Sequence, residues 1–311
     1  MDPFQTNVTK TVHRTSYPAI DPTRPELSQA GKTVLITGGT AGIGYATAKA
    51  FITAGASTII ITGRRKEQLD IAVAGLNTHI AETKSSATLV AENSDSSDLA
   101  AIDKLWSELA DKDVFVDVLI LNAAKFAQVG PLLDLGVEHV WTSFDTNVKG
   151  PLRFTEKFYK QAGASGTPQF LVNVSTQAIN MSNAHCDIPF AAERPEYGLT
   201  KGAGTLAIQY VAQDVKPEDL QVVSIHPGVV YSQGWELAGA PADMLPFDHE
   251  SLPAGHAVWA ATKEAAFLHG RFVWSSWDVT ELAHGEVRRR IESDGDFLRV
   301  NIGGLHGSNI Y

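Results

Sequence analysis

The sequence predicts an α/β fold in which helices cover both faces of a doubly wound, mainly parallel sheet. Short apolar runs alternate with helical segments, and a glycine-rich turn follows the first run. The 44% hydrophobic content of the 311 residues suits a large buried core. We expect a single domain over residues 31–311, because α/β folds of this length are often one unit.

Residues 1–30 are predicted to form an extended N-terminal arm rather than a packed element. Prolines at positions 3, 18, 22 and 25 lie among threonine, serine and aspartate. Proline disfavours helical backbone at the residue before it, so this stretch is unsuited to regular structure.

The apolar runs after Gly31 are the predicted strands. They are Thr33–Ile36, Thr58–Thr62, Thr88–Ala91, Val116–Leu121, Phe170–Val174 and Gln221–Ile225. Helical stretches are expected at 45–54, from Arg65 through Leu76, and near 98–110, 135–160 and 197–213. Glycine, proline and tryptophan then crowd residues 229–256. We interpret these as a long substrate loop with a small helical lid, because such long loops are usually functional.

Charge and composition exclude several classes of function. The formal net charge of −10 disfavours nucleic acid or an anionic membrane as a partner. The single cysteine, Cys186, leaves no internal disulfide and favours a reducing, cytoplasmic location. We expect no signal peptide, no transmembrane helix and no metal site, since no apolar run or paired histidine spacing suits them.

The turn from Thr37 to Gly44 lies between the first strand and the first helix. Glycine lets backbone approach a pyrophosphate closely, and a helix N-terminus offers free N–H groups. The spacing differs from G-x-G-x-x-G, so a tight loop without a ligand is the alternative. Its place in a βαβ unit favours a nucleotide site.

Arg64 and Arg65 end the second strand, where an NAD site usually carries a carboxylate for the ribose hydroxyls. Guanidinium groups suit a 2′-phosphate, which favours NADP(H) over NAD(H). Arg64 is preferred because it is nearer the strand end. The alternative is a solvated, basic helix start.

Tyr197 and Lys201 are spaced i,i+4 on a predicted helix, so their side chains share one face. A neighbouring cation lowers a phenol's pKa. Moving it from about 10 to about 7 requires roughly 4 kcal/mol of differential stabilisation. We expect Lys201 and an oxidised nicotinamide to supply it, although the pentapeptide alone is common by chance.

The chain resembles the short-chain dehydrogenase/reductase family, in its single-domain Rossmann form, over about residues 31–262. The landmarks that carry the resemblance occur in order: Thr37–Gly44, Asp117–Ala124, Asn147–Gly150, Val172–Thr176, Tyr197 with Lys201, and Pro227-Gly228 with Ser232. The N-terminal arm and the segment Phe267–Trp274 also resemble fungal members.

The resemblance implies an NADP(H)-dependent carbonyl reductase or alcohol dehydrogenase that forms a homodimer or homotetramer. Tyr197 would exchange the proton with the substrate oxygen, and Lys201 would lower the phenol's pKa and hold the nicotinamide ribose. Asn147 would position a water. A hydroxyl of Ser175 or Thr176 would steady the substrate oxygen, with Thr176 favoured by register. A biosynthetic enzyme with a non-redox outcome and a non-catalytic NADP(H)-binding protein are the alternatives.

The residues expected to contact the cofactor come from several of these landmarks. They are Thr37, Gly38, Thr40, Gly42, Ile43, Gly44, Arg64, Arg65, Glu92, Asn122, Ala123, Tyr197, Lys201, Pro227, Gly228, Val230 and Ser232. The substrate, a small carbonyl or alcohol compound, is expected to contact residues 123–131, 177–190 and 229–250. Ala124 stands where the family usually has glycine, so packing there is more crowded.

Overall fold

A computed structural model describes residues 7–126, 128–161, 168–180, 193–232, 235–236 and 239–302. Its strands are β1 Thr33–Ile36, β2 Thr58–Gly63, β3 Thr88–Asn93, β4 Val118–Leu121, β5 Gln169–Val174, β6 Leu220–His226 and β7 Arg271–Trp274. They form one sheet in the order β3-β2-β1-β4-β5-β6-β7, and every pairing is parallel. The predicted fold class is confirmed.

The α-helices connect these strands. They are α1 Gly42–Thr53, α2 Lys66–Thr83, α3 Leu99–Asp111, α4 Leu132–Leu135, α5 Val137–Phe144, α6 Gly150–Lys160, α7 Pro195–Asp214, α8 Ser251–Ala260, α9 Val279–Ala283 and α10 Gly285–Ser293. A π-helical stretch, Asp145–Lys149, joins α5 to α6, so the single helix predicted near 135–160 has an irregular middle. Among the described helices, none is both long and apolar enough to cross a bilayer.

The strands are apolar on both faces because both faces are covered. Val34 and Ile36 of β1 belong to one core with α1, α2 and α8, whereas Leu35 belongs to a second core with α3, α6 and α7. All three side chains are fully buried. Alternate residues of a strand point to opposite faces, so one short apolar run serves both cores.

The first strand lies inside the sheet, between β2 and β4. Leu35 pairs with Ile60 on one side and with Leu119 on the other. The connections after β1 and β4 therefore leave the sheet in opposite directions, and a crevice opens at their carboxyl ends. This crevice positions the candidate site.

The N-terminal segment differs from the predicted arm, because its described part is packed. Ile20 and Leu27 are fully buried within two short 3-10 turns. The Tyr17 hydroxyl donates to the Trp277 carbonyl (3.0 Å) and accepts from the Val279 N–H (2.9 Å). Three apolar side chains among the prolines therefore join this segment to the main core.

The predicted loop at 229–256 also needs correction at its end. Residues from Ser251 onward form α8, whose side chains from Leu252 to Ala260 are buried and which packs against α1. It is a core helix rather than a lid. The last strand, β7, was not among the predicted strands; it is four residues long and fully buried.

Candidate active site

The glycine-rich turn leads directly into α1. The N-cap residue, Ala41, makes no side-chain cap, and no acidic residue lies in the first turn of the helix. Gly38 and Gly42 have φ values of 64° and 52°, which disfavour other residues. A Cβ on Gly44 would lie 2.4 Å from the Gly38 carbonyl oxygen. The turn thus exposes uncapped N–H groups, as an anion-binding helix N-terminus requires.

Two side chains hold this turn against the end of β4. The Thr37 hydroxyl accepts from the backbone N–H groups of Asn122 and Ala123, each at 3.0 Å. The Asn122 amide donates to the carbonyls of Thr37 and Gly38, also at 3.0 Å. Thr37 and Asn122 therefore fix the position of the turn, which explains why both belong to recognisable motifs.

A polar groove of about 870 Å³ lies beside the turn, at the carboxyl ends of β1 to β4. Its cations are Arg64, Arg65 and Lys125, and Asp95 is its one carboxylate among the lining residues. Of the other predicted cofactor residues, it contains Gly38, Thr40, Asn122 and Ala123. The groove is positively charged although the whole chain carries a net charge of −10. It is therefore suited to a phosphate-rich ligand.

Glu92 does not line this groove. The third strand continues to Asn93, two residues beyond its predicted end, so Glu92 stays within the strand and pairs with Thr62. Asp95 instead lies in the loop beyond the strand, where its carboxylate accepts from the N–H and hydroxyl of Ser97 at 2.8 and 2.7 Å. Asp95, the first carboxylate after the strand end, therefore lies where the sequence predicts Glu92 to lie.

A second, more apolar cavity of about 900 Å³ adjoins the turn on the side of β5 and β6. Many predicted residues line it: Ile43, Ser175, Thr176, Tyr197, Pro227, Gly228, Val230 and Ser232. The predicted substrate walls contribute Phe126, Gln177, Trp235 and Leu245. Residues 181–190, most of another predicted wall, lie outside the described part of the chain. Arg194 and His226 also line the cavity and were not predicted.

The first turn of α7 places Tyr197 in this cavity. The Tyr197 ring packs edge-on against Phe126, with 5.2 Å between centroids. The preceding residue, Glu196, is fully buried, accepts from the Ser143 hydroxyl, and lies 3.2 Å from Nε2 of His139. These contacts tie the start of α7 to α5 and so fix the direction of the phenol.

The sequence predicts a lowered pKa for the Tyr197 phenol, but the protein without a cofactor raises it. Burial raises the pKa of Tyr197 to about 12. Burial also lowers the pKa of Lys201 to about 8, and its ammonium donates to the Val174 carbonyl at 2.6 Å. The reason is desolvation, which disfavours the charged form of both groups. Tyr197 is therefore neutral at physiological pH.

The two candidate hydroxyls have different hydrogen-bond partners. Ser175 lies 2.5 Å from the Thr205 hydroxyl, which itself donates to the Lys201 carbonyl at 2.8 Å. Because Thr205 has one proton, Ser175 must donate its own to Thr205. The Thr176 hydroxyl accepts from the Ala178 N–H at 3.2 Å, which leaves its proton available. The geometry favours Thr176 as the group that donates to a substrate oxygen.

Asn147 lies in the π-helical stretch and is buried. Its side chain accepts from the Lys125 N–H (2.8 Å) and donates to the Lys125 carbonyl (3.1 Å) and to the Thr200 hydroxyl (2.9 Å). A Cβ on Gly204 would lie 2.5 Å from the Asn147 carbonyl oxygen. Asn147 thus joins the loop after β4 to α7; its role with a water molecule stays a prediction.

The family model for short chain dehydrogenases matches residues 32–240. The chain belongs to the short-chain dehydrogenase/reductase family. Members of this family are oxidoreductases that share this fold, bind a nicotinamide cofactor and act on small molecules.

Fungal relatives match almost the whole chain. Short chain dehydrogenase/reductase AacuD of Aspergillus aculeatus is 32% identical over 94% of this chain and 96% of its own length. A short chain dehydrogenase/reductase of Claviceps purpurea is 33% identical over 94% of each chain. The similarity to fungal members is therefore confirmed.

Solved structures of lower identity show the same fold. The RhlG/NADP complex of Pseudomonas aeruginosa has a TM-score of 0.69 at 20% identity and covers 81% of this chain and 97% of its own. L-sorbose reductase of Gluconobacter frateurii, in complex with NADPH and L-sorbose, has a TM-score of 0.68 at 18% identity over 80% and 96%. A 7α-hydroxysteroid dehydrogenase bound to NADH has a TM-score of 0.69 at 18% identity over 84% and 97%.

Proposed function

We propose that the protein is an NADP(H)-dependent carbonyl reductase or alcohol dehydrogenase. The main support for this proposal is that two cavities lie against the same glycine-rich turn. Gly38 lines the cationic groove, and Ile43, five residues later, lines the cavity that holds Tyr197 and Thr176. A cofactor bound along the turn would extend from phosphate-binding residues to the two hydroxyls.

The residues of the groove fit a phosphorylated dinucleotide. A Cβ on Gly44 would meet the Gly38 carbonyl oxygen and the Asn122 amide, so the glycine lets the start of α1 pack closely against the turn. The uncapped start of α1 would hold the pyrophosphate, and Arg64 with Arg65 would hold a 2′-phosphate. When bound, NADP(H) supplies hydride chemistry at the carbonyl carbon.

Tyr197 would supply the proton in the reducing direction. A phenol with a pKa of about 12 keeps its proton at pH 7 yet still donates it to an alkoxide, which is a much stronger base. The Thr176 hydroxyl would donate a hydrogen bond to the same oxygen. Lys201 lies one helical turn after Tyr197, and below pH 8 its charge would favour the tyrosinate that remains after transfer.

The direct test is a panel of ketones and aldehydes incubated with NADPH or NADH while absorbance at about 340 nm is followed. We expect loss of absorbance with at least one carbonyl compound and a lower KM for NADPH than for NADH. Substrate conversion without an absorbance change would instead establish the non-redox alternative. NADPH binding without conversion of any compound would establish the non-catalytic one.

We also propose a homodimer or homotetramer formed through α5 to α7. Trp141, Tyr159 and Tyr210 on these helices are each more than half exposed. Such exposed aromatic side chains are typical of an interface. Light scattering should give a mass of two or four chains, and a monomer would contradict this. The cytoplasmic location stays a prediction.

A further inference from the structure

A third cavity, here called the rear chamber, adjoins the cavity that holds Tyr197, here called the substrate cavity. The two cavities share five lining residues: Gln177, His226, Gly228, Val229 and Leu245. Gln177 and His226 are both buried, so they form an internal boundary between two spaces rather than a rim.

The N-terminal segment forms the outer wall of the rear chamber. Val12 pairs with Trp277 in an isolated antiparallel bridge, and the His13 N–H donates to the Ser276 carbonyl at 2.8 Å. Arg14 lies 3.5 Å from the Asp248 carboxylate and donates to the Pro246 carbonyl. These contacts place Val12 and Arg14 in the chamber lining. A segment outside the family-model match therefore shapes space next to the candidate active site.

The inner wall of the rear chamber is aromatic. Trp274 lines it and stacks on Trp277, with ring centroids 5.4 Å apart and planes within 8° of parallel. Val12, Leu245 and Pro246 add apolar surface. A flat ring is the chemical group that such a wall accommodates best.

His226 supplies an unsatisfied polar atom at the boundary. Its side chain is 4% exposed, and its ring lies edge-on to Trp274 at 5.0 Å between centroids. Among the described residues, Nδ1 of His226 has no hydrogen-bond partner. The imidazole also lines the rear chamber, so a polar group of a ligand there would lie beside a buried ring that can form a hydrogen bond.

We propose that the rear chamber binds the distal ring of an aromatic or polycyclic carbonyl substrate, with a hydroxyl or carbonyl of that ring hydrogen-bonded to His226. This inference rests on the proposed function, since it assigns the far end of the same substrate. Tyr197 and Thr176 would hold the reacting oxygen, while Trp274 and the N-terminal segment would hold the other end.

The test uses three ketones of increasing extent: cyclohexanone, 1-tetralone and 6-hydroxy-1-tetralone. We expect kcat/KM to rise along the series, with roughly tenfold from the added hydroxyl if it forms one buried hydrogen bond. His226→Phe keeps a ring of similar size but removes both nitrogens. In this variant the two tetralones should have about the same kcat/KM, and calorimetry should give about the same Kd for both.

A second variant tests the chamber from its outer wall. Val12→Trp should reduce the ratio of kcat/KM for 1-tetralone to that for cyclohexanone by about tenfold, because the indole fills the chamber. Thr15→Trp is the control, since Thr15 is exposed and lines neither cavity. It should leave that ratio unchanged.

Two failures are distinguishable. If no carbonyl compound of the panel oxidises NADPH, the proposed function fails. If ketones are reduced but the ratios are the same in wild type, Val12→Trp and His226→Phe, the proposed function stands and the rear chamber is not a substrate site.

Discussion

The cationic groove and the substrate cavity, which lie on either side of the glycine-rich turn, present different chemical groups to a ligand. The groove consists of backbone and cationic side chains, with Arg64, Arg65 and Lys125 around an uncapped helix start. The substrate cavity consists of side chains, chiefly apolar ones such as Phe126 and Trp235, with three hydroxyl groups and a phenol among them. Backbone N–H groups and positive charge suit the cofactor that all members of a family bind. The shape of the side-chain lining suits the substrate of one member.

Because backbone forms much of the groove, we expect a substitution to weaken cofactor binding most where two backbone segments lie closest together. Gly44→Ala should weaken NADPH binding by up to about 100-fold, because its Cβ meets the Gly38 carbonyl and such overpacking costs about 1–3 kcal/mol. Calorimetric titration with NADPH measures this. Gly295→Ala is the control, since a Cβ there meets nothing within 4 Å. Equal NADPH affinity in both variants would contradict a backbone-built groove.

Thr176 and Ser175, two neighbouring hydroxyls of the substrate cavity, are expected to have different roles. Thr176→Ala should lower kcat by about 100-fold, as for loss of one donor to a reacting oxygen. Ser175→Ala should leave kcat within a few fold, but should reduce the free energy of unfolding by about 1–3 kcal/mol through its unsatisfied partner. Turnover assays and denaturant unfolding separate the two effects, and Thr176→Ser should retain activity. The opposite assignment would follow if Ser175→Ala lost the activity.

The arginines test whether charge gives the groove its cofactor preference. Arg64→Ala should raise the KM for NADPH by about tenfold through loss of a charge-assisted hydrogen bond. The KM for NADH, which lacks the 2′-phosphate, should not change. Lys66→Ala is the matched control, because Lys66 is exposed and pairs with Asp70 within α2. A parallel change for both cofactors would exclude 2′-phosphate recognition.

Acid should destabilise the fold through two buried histidines. Burial lowers the pKa of His226 and of His256 to about 3. Between pH 6.5 and 3 the unfolded chain therefore binds protons that the folded chain does not, and stability falls as pH falls. Each histidine contributes up to about 1.4 kcal/mol per pH unit. Denaturant unfolding at pH 7 and pH 5 should show a smaller loss for His256→Gln than for wild type; equal losses would refute the assignment.

The sheet was largely predictable because its strands are short apolar runs between turns. The N-terminal packing was not, since Tyr17, Ile20 and Leu27 have no periodic spacing. Pro253 and Gly255 made α8 resemble a loop. In the structure, Pro253 lies in its first turn, and Gly255 admits the Ile20 carbonyl, which would lie 2.6 Å from a Cβ.

The candidate site was predictable where a motif fixes backbone, as at Thr37 and Asn122. Glu92 lies outside the groove because β3 is longer than predicted, and strand ends are poorly defined by sequence. The raised pKa of Tyr197 in the protein without cofactor was not foreseen, because desolvation depends on burial, which the i,i+4 spacing with Lys201 does not reveal. His226 and Trp274 line a cavity together with residues of the N-terminal segment, which only the tertiary structure reveals.

The most direct test of proton donation by Tyr197 is the turnover of Tyr197→Phe with a carbonyl compound that wild type reduces. We expect kcat to fall by about 10²–10⁴, the range typical of a lost general acid, while NADPH affinity stays within a few fold. A wild-type kcat in the variant would show that the phenol is not the proton donor.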